Sequence, residues 1–532
     1  MLIDLDQDAC EGDLSADLCI VGAGAAGITL AREFIGTSCS VVMLEGGGRA
    51  LEPKDQDTYS SQVVGLPHAG IHSGRARAFG GTTLLWAGQA LPLFDIDFEQ
   101  RDWVPYSGWP LCRAELLPYY RRAEQVMQIK HVDYGVKTWP STHVPPYDTR
   151  EIDPIFSQFT AEPNFVKKYG DDIRAAANIR IILHANVTNL EANQSAARIT
   201  EVRARSLGNI RLKVRSKYVV LCMGGIETAR LLLLSDSVEK NGVGNQHDVV
   251  GRFFQDHPHI SFPVKRTDRT RFRQYCDSFR KDNIRLSLKM VASASLQRSE
   301  RIPNIGAEVF YPTSGEDDPL DAAKAFLKAA RNPGDRKLAL SSLASMARDP
   351  VKVLSAGYRY YIQGQPASVG STSPRIGFSG EQEPNRESRV MLSTEQDNLG
   401  MRRTILDWKL GGAEARAVEV LARAIGSEWS RLGIGEIQAD LSAAGQISFT
   451  DYNHHIGTTR MGTNRAVSVV DPQCRVHGYD NLYIGSSATF PTGGFSNPTL
   501  TAIALVLRIA DNLKGSFART KSTEIELVTQ DA

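Results

Sequence analysis

The run Gly22-Ala23-Gly24-Ala25-Ala26-Gly27 restricts this chain more than any other feature. It lies between an apolar, β-branched stretch at 17–21 and a helix-like stretch at 28–34. Its glycines meet three steric demands. Gly22 permits a tight turn, Gly24 lets the backbone approach a pyrophosphate, and Gly27 lets the helix pack closely on the strand. The first amides of the helix, those around Ala25 and Ala26, then face the phosphates. A second strand at 39–44 ends on Glu45, where an acid reaches the ribose hydroxyls of an adenosine. The ordered set predicts a dinucleotide site. An acid at position 45 disfavours a 2′-phosphate, which leaves FAD or NAD.

The totals narrow the setting. A chain of 532 residues is longer than one ordinary domain. Its 42% hydrophobic and 23% charged residues suit a globular protein with a large core. A net charge of +1 gives no general attraction to nucleic acid. No apolar run approaches the roughly 20 residues of a membrane helix. The seven cysteines are scattered and lack a CxxC pair, which fits neither a disulfide framework nor a zinc site and favours a reducing compartment. The acidic start of the chain carries no basic or apolar signal region, so a cytoplasmic location is expected. Asp256-His257-Pro258-His259 invites a metal reading, but no second ligand cluster accompanies it in the sequence, and no metal is expected.

Two further segments carry chemistry. In 75–88, Arg75, Gly80, Gly81, Thr82, Thr83, Trp86 and Ala87 belong to a glycine-rich turn whose backbone can lie against a flat ring or a diphosphate. Near the far end stand Asn453-His454-His455-Ile456-Gly457-Thr458, a strand around 481–485, and Asn497-Pro498-Thr499-Leu500-Thr501. A helix over 502–513 follows, with Pro498 just inside its start and Ser496 or Asn497 placed to cap it.

Together with the stretch 219–230, these pieces resemble the glucose–methanol–choline oxidoreductase family of FAD-dependent alcohol oxidases and dehydrogenases, over most of the chain. The wording around Gly80–Trp86 and at 251–258 is most similar to the pyranose-oxidase-like and bacterial glycoside-oxidising branch. The resemblance implies an α/β, Rossmann-like FAD-binding domain assembled from 1–95, 176–264 and 446–515. It also implies an α+β substrate domain with an antiparallel sheet from 96–175 and 265–445. A flexible tail is expected at 516–532.

By the same resemblance Val187 meets the adenine through its backbone. Gly224 turns a strand into a helix at the cofactor, and Asn497, Pro498 and Thr499 border the flavin. Ser486 stands where the family often has an acid, so the part its side chain plays is left open. Leu85 occupies the position of the histidine that bonds to flavin in some members, so non-covalent FAD is expected.

His454, by its spacing to Gly457-Thr458, maps onto the catalytic base, and Asn497 onto its polar partner. A neutral imidazole can take the alcohol proton. An amide can donate to the same oxygen and aim the C–H bond. His455 is set aside as base, because neighbouring side chains of an extended chain point to opposite faces.

The implied activity is oxidation of an alcohol group on a sugar, glycoside or sugar-bearing natural product, with O2 or another electron acceptor. FAD-containing lyase chemistry on a hydroxylated carbon is the alternative. Two amphipathic stretches within 319–361 read as a solvated helical hairpin, a homo-oligomer contact or a membrane-surface contact.

Overall fold

The computed structural model describes residues 1–8, 12–132, 134–135, 138–139, 141–312, 350, 353–354, 373–439 and 448–530. The helical region expected over 319–361 lies almost wholly outside them.

The N-terminal unit is a strand–helix–strand crossover. Strand β1 (Leu2–Asp4) precedes β2 (Gly12–Val21), helix α1 (Ala25–Arg32) and β3 (Val41–Leu44). β2 and β3 pair in parallel, and β3 pairs in parallel with the strand Ile179–Leu183. On its other side β2 pairs along its whole length with Arg211–Leu221, again in parallel. Leu482–Ile484 joins Arg211–Leu221, and an antiparallel extension through Ile199–Arg205 and Asn186–Ala192 completes a mixed eight-stranded sheet. Leu18, Ile20, Val42 and Met43 are buried in the parallel part, against which α1 packs.

A second eight-stranded sheet is entirely antiparallel. Its main path runs Gly435–Ile437, His259–Arg266, Arg375–Gly380, Ile305–Phe310, Ile284–Ala292, Ile152–Phe159, Gln89–Ala90. The helix Ala413–Leu432 backs it through Val418, Leu421, Ile425 and Trp429, one stripe at helical spacing. Each large side chain buried in such a stripe contributes about 1.5–3 kcal/mol.

Ile179–Leu183 and Asn186–Ala192 are separate strands, broken at His184, which takes a left-handed φ of 53°. Two sequence expectations change. Arg389–Gln396, read with the substrate sheet, instead pairs with Arg402–Asp407 in a third sheet completed by Ser61–Val63. This sheet packs on the helix Gly224–Leu234 of the nucleotide side. The tail expected to be loose from residue 516 is helical, since one helix spans Thr499–Gln530. The helix continues because Phe517 packs edge-on against Phe34 and Tyr218, giving its fifth turn an apolar contact.

Candidate active site

The ends of β2, β3 and Arg211–Leu221 open onto an elongated cavity of about 520 Å³. Its floor is backbone. Gly22 adopts a φ of 100°, and a Cβ there would lie 2.7 Å from the Cys222 carbonyl oxygen. A Cβ on Gly81 would come within 2.8 Å of Gly24 Cα, so two glycine-bearing loops touch across the cavity.

Gly22, Gly24, Ala25, Ala26, Glu45, Arg75, Gly81, Thr82, Trp86, Ala87, Val187, Gly224, Ser486, Asn497, Pro498 and Thr499 all line this cavity. Gly27 and Gly80 do not. A Cβ on Gly27 would collide with the Gly22 carbonyl at 1.9 Å, and the Gly80 N–H donates to Ala23 O at 2.9 Å. Both shape the loop from behind.

The Glu45 carboxylate accepts from the Ala23 N–H (2.9 Å) and the Gly47 N–H (3.0 Å), which fixes the turn it lines. Burial pushes its pKa up against the pull of those two amides. Arg75 lines the wall with three donors already taken, by Ile71 O, Glu227 and Tyr59 O. The Ser486 hydroxyl accepts from the Ala488 N–H and caps the short turn after it. Leu85 lines the cavity and offers no atom for a covalent bond.

Sequence reading missed the buried ion network in this wall. Glu227 bridges Arg75 (2.8 Å), Arg230 (3.3 Å) and Arg77 (3.6 Å), and Arg230 also holds Asp397 at 2.7 Å. Burial would raise the Glu227 pKa, but the three guanidiniums hold it below the usual carboxylate value. The network ties the third sheet to the cavity wall.

At the other end stands His454. Its backbone N–H, with those of Tyr452 and His257, donates to one oxygen of Asp256 at 3.0, 3.2 and 2.6 Å. The second Asp256 oxygen lies 3.0 Å from His68 Nε2. His68 Nδ1 accepts from the Ile71 N–H at 3.1 Å, so Nε2 carries the proton and donates. Burial alone would raise the Asp256 pKa, but the His68 bond and the neighbouring imidazoles keep the carboxyl well below its ordinary range.

Asp256 is not isolated as its sequence context suggested, since His68 and His455 both come within reach of it. Hydrogen bonds already engage both ring nitrogens of His68 and both oxygens of Asp256. His454 Nδ1 lies 2.8 Å from His257 Nδ1, and its Nε2 has no hydrogen-bond partner among the described residues. Burial first, then the neighbouring His257, lower the His454 pKa to about 3. His455 turns its ring towards His68 and Phe254.

The Asn497 side chain caps nothing and has no hydrogen bond among the described residues. The Ser496 hydroxyl is spent on Pro92 O at 2.8 Å, so neither residue caps the helix as expected. The Asn497 loop is held by Thr492 on Asp97 O (3.1 Å) and by Gln255 on Pro491 O (3.2 Å). Asn497 and Tyr452 line both the large cavity and a second one of about 260 Å³ on the antiparallel sheet. Its other lining residues include His259, noted above only in a metal reading, and Lys289 and Glu308, which were missed because they meet only through strand register.

Known proteins agree with this architecture. Family models described as GMC oxidoreductase match residues 166–259 and 384–505. The fructose dehydrogenase large subunit of Gluconobacter japonicus is 24% identical, covering 94% of this chain and 97% of its own. The C-glycoside 3-oxidase of Arthrobacter globiformis is 32% identical over 28% of this chain and 29% of its own. A variant of the Aspergillus oryzae RIB40 formate oxidase shares the fold with a TM-score of 0.56 at 16% identity, covering 96% of this chain and 99% of that one. The chain thus carries GMC oxidoreductase segments in both of its halves, within a fold that the formate oxidase shares almost end to end.

Proposed function

We propose that the chain is an FAD-dependent oxidoreductase that converts an alcohol carbon of a sugar or glycoside to a carbonyl, with His454 as base and Asn497 as its partner. The glycine floor, Glu45 and the backbone near Val187 and Gly224 fit a dinucleotide along the 520 Å³ cavity. FAD bound there, without a covalent link, supplies the acceptor for the hydride.

His454 carries the reading. With Nδ1–H donated to His257, the Nε2 lone pair is left to take the hydroxyl proton. A pKa of about 3 keeps this imidazole neutral across physiological pH. Asp256 fixes the backbone on which it stands. The unpartnered amide of Asn497 donates to the same substrate oxygen and steadies the alkoxide as it forms.

The names of the relatives, fructose dehydrogenase and C-glycoside 3-oxidase, support a sugar or glycoside as substrate. The lyase alternative has no observation behind it. Cys19, Cys222, Cys276 and Cys474 are buried thiols, which supports a reducing compartment. No helix among the described residues is long and apolar enough to cross a membrane.

The test is an anaerobic spectrum of the purified protein during addition of sugars and glycosides. A flavin band that bleaches supports the reading, and readmitting air then separates O2 from other acceptors. His454→Ala should keep the band and slow bleaching at least ~10²-fold. Unchanged bleaching in that variant would remove His454 from the mechanism.

A further inference from the structure

We infer that the 260 Å³ cavity takes a neutral, polyhydroxylated ring, and that Lys289 reads a hydroxyl beside the carbinol being oxidised. The inference rests on the reading above and adds the substrate's charge and the residue that senses it.

The strands Ile284–Ala292 and Ile305–Phe310 pair with Met290 opposite Ala307 and Val291 opposite Gly306. One step further along this register Lys289 faces Glu308, on the same side of the sheet. Their side chains form an ion pair of 2.8 Å, and Lys289 is only 7% exposed. Glu308 is fully occupied. One oxygen faces Lys289 and the Tyr452 hydroxyl (3.3 Å), and the other accepts from Gln89 (3.3 Å) and Ser287 (3.4 Å). Two donors on each oxygen fill the acceptor sites of the carboxylate, although its side chain is the more exposed of the two, 18% against 8% for Lys289.

Lys289 is in the opposite condition. One of its three N–H donors goes to Glu308, and the other two have no partner among the described residues. A buried ammonium with free donors, lining a cavity that adjoins Asn497, needs an oxygen acceptor from whatever enters. A sugar hydroxyl is such an acceptor.

The pair carries no net charge, so the cavity does not call for an ionic ligand. Both Lys289 and Glu308 line the cavity, but the carboxylate already holds four donors, so it has less to offer an ammonium ligand than Lys289 has to offer a hydroxyl. Phe310 and Phe495 supply apolar walls for the C–H face of a ring. The volume lies just below the roughly 300–1,000 Å³ of drug-sized pockets, which suits one ring better than a long chain.

Anaerobic calorimetric titration of the FAD-loaded protein tests this. The probes are neutral hexoses, pentoses and methyl glycosides, each matched to its amino sugar. At least one neutral sugar should bind, with its amino counterpart ~10-fold weaker or worse. Lys289→Met should weaken the neutral sugar ~10- to 100-fold, the worth of a hydrogen bond to a charged group, and narrow the gap to the amino sugar. Should Lys289→Met fail to fold with Glu308 left unpaired, the double variant Lys289→Met/Glu308→Gln removes both charges together. Amino sugars bound as tightly as neutral ones, no neutral sugar bound, or an unchanged affinity in the variant overturns the inference. A sugar that binds normally but leaves the flavin band unbleached refutes the proposed reaction instead, so the two failures are distinct.

Discussion

The two cavities meet at Tyr452 and Asn497 but are built by different means. The larger is a backbone site, with a floor of glycine turns and helix N-termini and few free side-chain atoms. The smaller is a side-chain site, where strands bring Lys289, Glu308 and His259 onto one face. A cofactor that never changes can be held by the main chain. A substrate that must be told from its neighbours is read by side chains, which can be exchanged without disturbing the turns.

That contrast can be broken at the scaffold, where the largest effect is expected. If the large cavity is backbone-made, side-chain changes reach it through the ions in its wall. Glu227→Gln leaves three guanidiniums short of their carboxylate and should cost about 3–5 kcal/mol in a denaturant or thermal melt, with the affinity of the folded fraction for sugar unchanged. A loss below ~1 kcal/mol would show the network to be dispensable.

Glu45 sharpens the contrast, since its carboxylate is bonded to the backbone of the glycine turn. Glu45→Ala should lower FAD affinity ~10-fold or more, measured by fluorescence of released flavin. Sugar affinity in the FAD-saturated variant should stay constant. Unchanged retention would remove the ribose role.

The smallest effect lies at His184. Asp55, at 3.5 Å, and Asp4, at 2.7 Å, raise its pKa from 6.5 to about 9. The protonated form is favoured by folding, so its stabilisation is complete below pH 6.5 and is lost as pH rises through about 9. His184→Gln should flatten this alkaline decline in Tm and leave sugar affinity alone. An identical decline in the variant would point to other groups.

The same contrast explains what the sequence could tell. Backbone recognition demands particular residue types in a row, so Gly22, Gly24, Gly27 and Glu45 can be read as text. Lys289 and Glu308 become neighbours only when two strands take one register, and no local pattern announces a register. His68 lies 188 positions from Asp256 and carries no motif. The break at His184 lacks the glycine that usually marks a left-handed residue, because the aspartates beside it hold the turn. β2 reaches back to Gly12 because its neighbour Arg211–Leu221 is long enough to pair with it there, a fact written elsewhere in the chain. The Asp256 carboxylate of the 256–259 segment gathers three backbone amides and His68, partners that no local pattern announces.

Asp256 also sits three residues before His259, where a strand of the antiparallel sheet begins. His454, the proposed base, is therefore hung from the edge of the sheet that lines the smaller cavity. On the proposed reading, slight drift of one sheet against the other would carry His454 and a sugar in the smaller cavity along together, so their mutual spacing would tolerate play elsewhere in the molecule. One carboxylate acts as a common datum, and errors of assembly cancel where alignment matters most.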